Sequence, residues 1–149
     1  MAVDWPGLFR LANAVALIAW LILILAPRRP WLVEALRLGV AGGLATLYVG
    51  LIVTALTVGF AGPAGPSPDF STIAGVRAIF ATDGGAVTGW IHYLAFDLVA
   101  GLWIAGDADA RGIGRLVQAP ALVLCFLAGP AGLFIHLVMT RLIWRQKVP

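Results

Sequence analysis

The chain has 149 residues, 61% of them hydrophobic and only 11% charged, and its mean hydropathy of +0.97 lies well outside the range of water-soluble domains. Ten Lys and Arg stand against seven Asp and Glu, but no soluble region presents those cations as a cluster, which argues against nucleic-acid binding. The single cysteine, Cys125, excludes an intrachain disulfide and reads as a small buried apolar residue.

Four apolar runs, 8–26, 38–60, 86–105 and 119–142, are bounded by charge or by Pro and Gly. Each approaches the roughly 20 residues a helix needs to cross hydrocarbon. They predict an all-α protein: a four-helix transmembrane bundle forming a single integral membrane domain over 1–149, expected in an inner or plasma membrane, which the Ala-, Gly- and Arg-rich composition suggests is a bacterial one. Asp4 precedes the first run and LAPRRPW follows it without a small-x-small cleavage pattern, so the run is read as a retained helix. Pro27-Arg28-Arg29-Pro30 is a short, stiff turn. Along the second run Gly39, Gly43, Thr46, Gly50, Thr54 and Thr57 form one stripe of small residues. Such a stripe is expected to face protein, either another helix of the bundle or a second copy in a homo-oligomer.

The link 61–85 is too long for a hairpin and too apolar for a free loop. Ile73, Val76 and Phe80 share a helical face there, which predicts a short amphipathic interfacial helix capped by Asp69 or Ser71 and ended before Gly84. It serves as a membrane-surface anchor or as a lid over a cavity. The third run holds GWIHYLAFDLVAG, with His92 and Asp97 in otherwise apolar surroundings. A carboxyl at the centre of a membrane helix costs about 2.5–3.5 kcal/mol, so Asp97 marks either a functional site or a hydrogen bond between helices. The link 107–118 reads as a plain connector containing Gly112 and Gly114. In the fourth run Cys125, Gly129, Gly132, His136 and Thr140 share a face, and Pro130 is expected to kink the helix near its middle.

With four alternating helices, Arg10, Arg77, Arg141, Arg145 and Lys147 fall on one side, and Arg28, Arg29, Arg37, Arg111 and Arg115 on the other. That balance leaves orientation undecided. Arg141 is read as snorkelling to head groups, and Trp5, Trp31, Trp90, Trp103 and Trp144 as an aromatic belt. Counting rise along alternating helices puts His92 and His136 roughly 9 Å below the same surface, level with Asn13 and Thr54. Asp97 and Tyr48 fall roughly 16–18 Å deep. Two polar layers then lie beneath the long link, with Tyr93, Trp90, Phe96, Gly129 and Pro130 as further wall residues of a cavity for an elongated apolar ligand. His92 and Asp97 are about 140° apart around a straight helix, which disfavours a tight metal site; neither metal nor cofactor is expected.

The run GWIHYLAFDLVAGLWIAGDADARGIGR and the later LAGPAGLFIHLVMTR resemble the abscisic-acid-deficient-four-like family in order and spacing: an HYLxFDL core with a downstream Trp, a D-x-x-x-RGI link and a GPxG before the last helix. Leu102 departs from the pattern, since many relatives carry Arg before that Trp. The family's plant members are chloroplast membrane proteins required for making neoxanthin from violaxanthin. The resemblance therefore implies membrane lipid and a carotenoid or other isoprenoid as partners. It also implies a redox-neutral isomerisation of an epoxide to an allenic alcohol, which needs an acid at the epoxide oxygen and a base at the neighbouring carbon. Asp97 is then the acid, His92 or His136 the base, and Tyr48 or Tyr93 orients the oxygen. The alternatives are a non-catalytic carotenoid- or lipid-binding subunit that modulates a partner, and a proton or solute pathway through Asp97. No G-x-S-x-G, GxxxxGK[ST] or paired Cys occurs.

Overall fold

A computed structural model describes residues 3–59 and 69–142. Among the described residues every regular element is helical: α1 (Trp5–Leu25), α2 (Pro30–Thr57), α3 (Ile73–Ile79), α4 (Asp83–Ala110), α5 (Arg115–Leu127) and α6 (Gly129–Leu142). α1, α2 and α4 are long and apolar enough to cross a membrane. α1 begins where the Asp4 side chain accepts the Gly7 backbone N–H at 2.9 Å, and it stops at Ala26, whose extended conformation is imposed by the following Pro27. α2 contains a π-helical stretch at Ala35–Ala41.

A short helix is present in the long link as α3, as expected, but its cap is Thr72, whose hydroxyl accepts the Gly75 N–H. Asp69 instead braces the cap from outside, accepting the N–H groups of Ser71 and Thr72 at 2.8 and 2.9 Å. The first part of that link, 61–68, lies outside the described residues. Thr82 caps α4 in the same way as Thr72 caps α3, and the chain leaves α4 through Gly112, whose φ of +66° suits glycine.

α4 is the central helix and touches α1, α2, α5 and α6. Two apolar clusters surround it. Ala12, Leu44, Leu51, Val87, Ile91 and Ala95 pack around its first half; Trp20, Leu23, Leu98, Ile104, Leu122 and Cys125 pack around its second. Gly101 lets the Trp20 ring lie against the α4 backbone, where any side chain would collide with it.

Two expectations are corrected. The run 119–142 is not one kinked helix: the chain breaks at Ala128 (φ −158°, ψ 79°) and α6 folds back along α5. A methyl group on Gly132 would overlap the backbone of Ala121 and Cys125. The Cys125 thiol lies 3.6 Å from the Asp97 carbonyl, Gly129 abuts the Asp97 side chain, and His136 reaches Asp107. α6 therefore runs in the direction of α4 and antiparallel to α5, and the hairpin spans only the half of α4 beyond Asp97. Pro130 explains the difference. Its missing N–H disrupts a helix interior but suits a first turn, so the same residue that would kink a helix opens a new one. The second correction concerns one of the two faces expected for the small-residue stripe of α2: among the described residues it meets no other helix of the chain. A Cβ on Gly39, Gly43 or Gly50 would meet open space, and the exposed Thr46, Thr54 and Thr57 hydroxyls bond their own helix carbonyls.

Candidate functional site

Halfway along α4, Asp97 sits against the tip of the α5–α6 hairpin. The Gly129 backbone N–H is directed at its carboxyl, and a side chain at Gly129 would collide with it. Asp97 thus caps α6 from a neighbouring helix, placing negative charge where the first N–H groups of α6 have no partner within their own helix. The carboxyl is half-buried and also interacts electrostatically with the imidazole of His92.

Because the hairpin ends at Asp97, the sector of α4 that it covers beyond this point is uncovered before it. At about 100° per residue, Gly89, Tyr93 and Phe96 lie on the same side of α4 as Asp97, Trp103 and Asp107. Tyr93 and Phe96 are 57% and 64% exposed. One edge of this recess is formed by α1 and Trp90, whose indole N–H donates to the Asn13 side-chain oxygen at 3.0 Å and whose ring lies 5.7 Å from Phe9. The other edge is His92, with Tyr48 of α2 at 5.2 Å and Phe96 at 4.7 Å between ring centroids. At the top Phe80, just after α3, closes against Gly89, a glycine because any side chain would meet that ring. From Gly89 to Asp97 the recess is about 12 Å high. Its floor is the hairpin tip, where Pro130 and Ala131 are exposed. An open depression of about 460 Å³ beside α3 is lined by Phe70, Ile73, Val76, Arg77 and Phe80 among others.

The structure brings together Asp97, His92, Tyr48, Tyr93, Phe96, Trp90, Asn13, Gly129 and Pro130 around this recess. It does not bring His136 there. His136, 3% exposed, lies beyond the tip, with Nε2 2.9 Å from Asp107 and its ring edge-on to Trp103. The equal depth of His92 and His136 required a fourth full crossing, and the hairpin turns His136 toward the opposite end. Thr54 is also outside the site: it is exposed and bonds the Gly50 carbonyl. Among the described residues no group of three or more His, Cys, Asp or Glu is arranged to hold a metal.

The link read as a plain connector carries a dense polar cluster. Arg28, whose side chain is 8% exposed, donates to Asp109 at 2.8 Å and Gln118 at 2.5 Å, and reaches the Ala105 carbonyl at 3.3 Å. Gln118 in turn donates to Asp109 and to the Ile113 carbonyl. Arg115 donates to the carbonyls of Ile24 and Ala26, and Arg111 forms a two-pronged pair with Asp107. These bonds tie the ends of α1 and α4 to the start of α5. The sequence signal was available: two acids and two arginines within Asp107–Arg115, and an Arg pair between prolines at the next turn.

No curated protein and no solved structure is significantly similar to the chain. The sequence model of one family, described as ABA DEFICIENT 4-like, matches residues 7–136, which include both walls of the recess, the hairpin tip and the Arg28 cluster; the chain belongs to that family.

Proposed function

We propose that the protein is a multi-pass membrane protein that takes an elongated apolar molecule, a carotenoid or another isoprenoid, from the bilayer into the recess and isomerises it without redox change at Asp97 and His92. The carrying observation is the recess itself: a half-height gap walled by aromatic rings, with His92 on one edge and a half-buried carboxyl at its end. Aromatic walls suit a polyene, and one carboxyl at the end of an apolar slot fixes which oxygen reacts. For an epoxide, Asp97 delivers its proton to the oxygen as the C–O bond opens, and His92 removes a proton from the neighbouring carbon, leaving its electron pair to form the new C=C bond. The proton on His92 then returns to Asp97, so both groups end as they began. Purified protein in lipid vesicles containing an epoxy-carotenoid is expected to form an isomer of unchanged mass. The Asp97→Asn variant, which keeps an oxygen for the Gly129 N–H, is expected to bind pigment and to lose turnover.

The capping of α6 by Asp97 favours a second reading, in which the carboxyl only holds the hairpin and the recess stores pigment or lipid for a partner. Pigment that co-purifies with wild type and Asp97→Asn alike, with neither converting it, identifies this case and overturns the catalytic assignment.

A further inference from the structure

We infer that the recess is loaded from one leaflet only, the non-cytoplasmic one, and that α5–α6 is a re-entrant hairpin with both its ends on the cytoplasmic side. The proposal deepens the reading above by naming the lipid surface that feeds the site. It starts from the reversal at Ala128. Gly129 lies at the middle of α4 and His136 at Asp107, so α6 returns to the end of the molecule from which α5 departs. Arg141 consequently belongs with that end. Of the eight arginines among the described residues, Arg28, Arg29, Arg37, Arg111, Arg115 and Arg141 gather there, and Arg10 and Arg77 belong to the opposite end. Six against two replaces the five against three that the same eight would give in a four-crossing chain, and cations collect on the cytoplasmic side of membrane proteins. Three of the six are held by hydrogen bonds to the ends of α1, α4 and α5, so this end is a built part of the fold.

The recess occupies the other half of the molecule, between the hairpin tip and Phe80. Below the tip α6 lies against this sector, with His136 on Asp107 and edge-on to a Trp103 that is 49% exposed, and above it Tyr93 and Phe96 are 57% and 64% exposed. A lipid or polyene in the cytoplasmic leaflet meets the packed hairpin; one in the opposite leaflet meets the gap. The ligand class that fits is an apolar chain entering end-on to the midplane, with one oxygen function at the buried end.

The test is labelling of single cysteines by a membrane-impermeant maleimide, in a Cys125→Ala background, with labelling after detergent solubilisation as the reference for each variant. Ser71→Cys reports the recess end, Arg29→Cys and Gly114→Cys report the basic end, and Arg141→Cys reports where α6 finishes. In spheroplasts Ser71→Cys is expected to label fully, while the other three label only in inverted vesicles. Labelling of Arg141→Cys from the same side as Ser71→Cys would show a complete fourth crossing and overturn the hairpin. The reversed pattern for all four would overturn the leaflet assignment. No ligand enters this experiment, so an inactive, colourless protein leaves it untouched, and a failed labelling pattern beside persisting turnover sinks this inference alone.

Discussion

A carboxyl placed halfway along an apolar helix must be solvated by the protein, and Asp97 finds its solvation at the exposed N–H end of α6. Glycine at position 129 is the other half of that arrangement, because any side chain there occupies the carboxyl's space. Gly129→Ala is therefore expected to destabilise the protein by about 1–3 kcal/mol, read as a lower thermal midpoint in detergent. Shortening the acid in the same background, Gly129→Ala with Asp97→Ala, is expected to recover part of the loss; no recovery would show that the strain lies elsewhere. Arg28 is the second residue on which much depends. Arg28→Ala removes bonds to Asp109, Gln118 and the Ala105 carbonyl, and is expected to cost about 1–3 kcal/mol. The half-exposed Asp109 can turn to solvent, which keeps the loss below that of a fully buried pair. His92 and Asp97 were legible in the sequence because polar groups are costly where everything around them is apolar. Their partners were legible only in part: Tyr48 lines the recess but stands against His92 rather than at the level of Asp97, and His136 was assigned by a depth count that presumed a full crossing.

At the scale of elements, the two glycine-rich surfaces invite opposite outcomes. Gly132→Leu is expected to force α6 off α5 and lower stability sharply, since its neighbours are the backbone of Ala121 and Cys125. Gly43→Leu faces open space and is expected to leave the thermal midpoint near wild type. Periodicity made the two stripes look alike, because spacing reports which residues share a face and not which neighbour the face meets. α3 offers a pH test. Hydrogen bonds from the Ser71 side chain, and from the Thr72 and Ser71 backbones, hold the Asp69 carboxyl below the ordinary carboxylate range. A depressed folded value means that the bracing is present above the ordinary range and is lost as pH falls through the folded value. Hydrogen exchange at the first amides of α3 is expected to accelerate relative to α4 on acidification, and to become insensitive to that change in Asp69→Asn.

At the scale of the molecule, hydrophobic run length located the three long helices, and the apolar link foretold α3. The same rule miscounted the fourth run, because 24 residues of apolar sequence suffice either to cross a bilayer once or to enter it and return. What separates the two cases is a break with a helix-starting Gly-Pro and a small residue at the point of closest return, and both are present at Gly129-Pro130 and Gly132. The Arg28 cluster escaped sequence reading for a related reason: its members are far apart in the chain, and short polar links are usually solvated.

The hairpin's dependence on α4 also sets an order in time. Its contacts with Asp97 and Asp107, and those of α5 with Arg28, are all made to residues synthesised earlier, so the C-terminal segment cannot find its place until the rest of the bundle stands. A nascent chain that has emerged only as far as Gly114 holds Asp97 and Asp107 without the Gly129 amide and His136 that complete their surroundings. Arrest or truncation there leaves Asp107 paired with Arg111 but Asp97 without the amide that solvates it, so Asp97 is the group whose burial waits on the last segment.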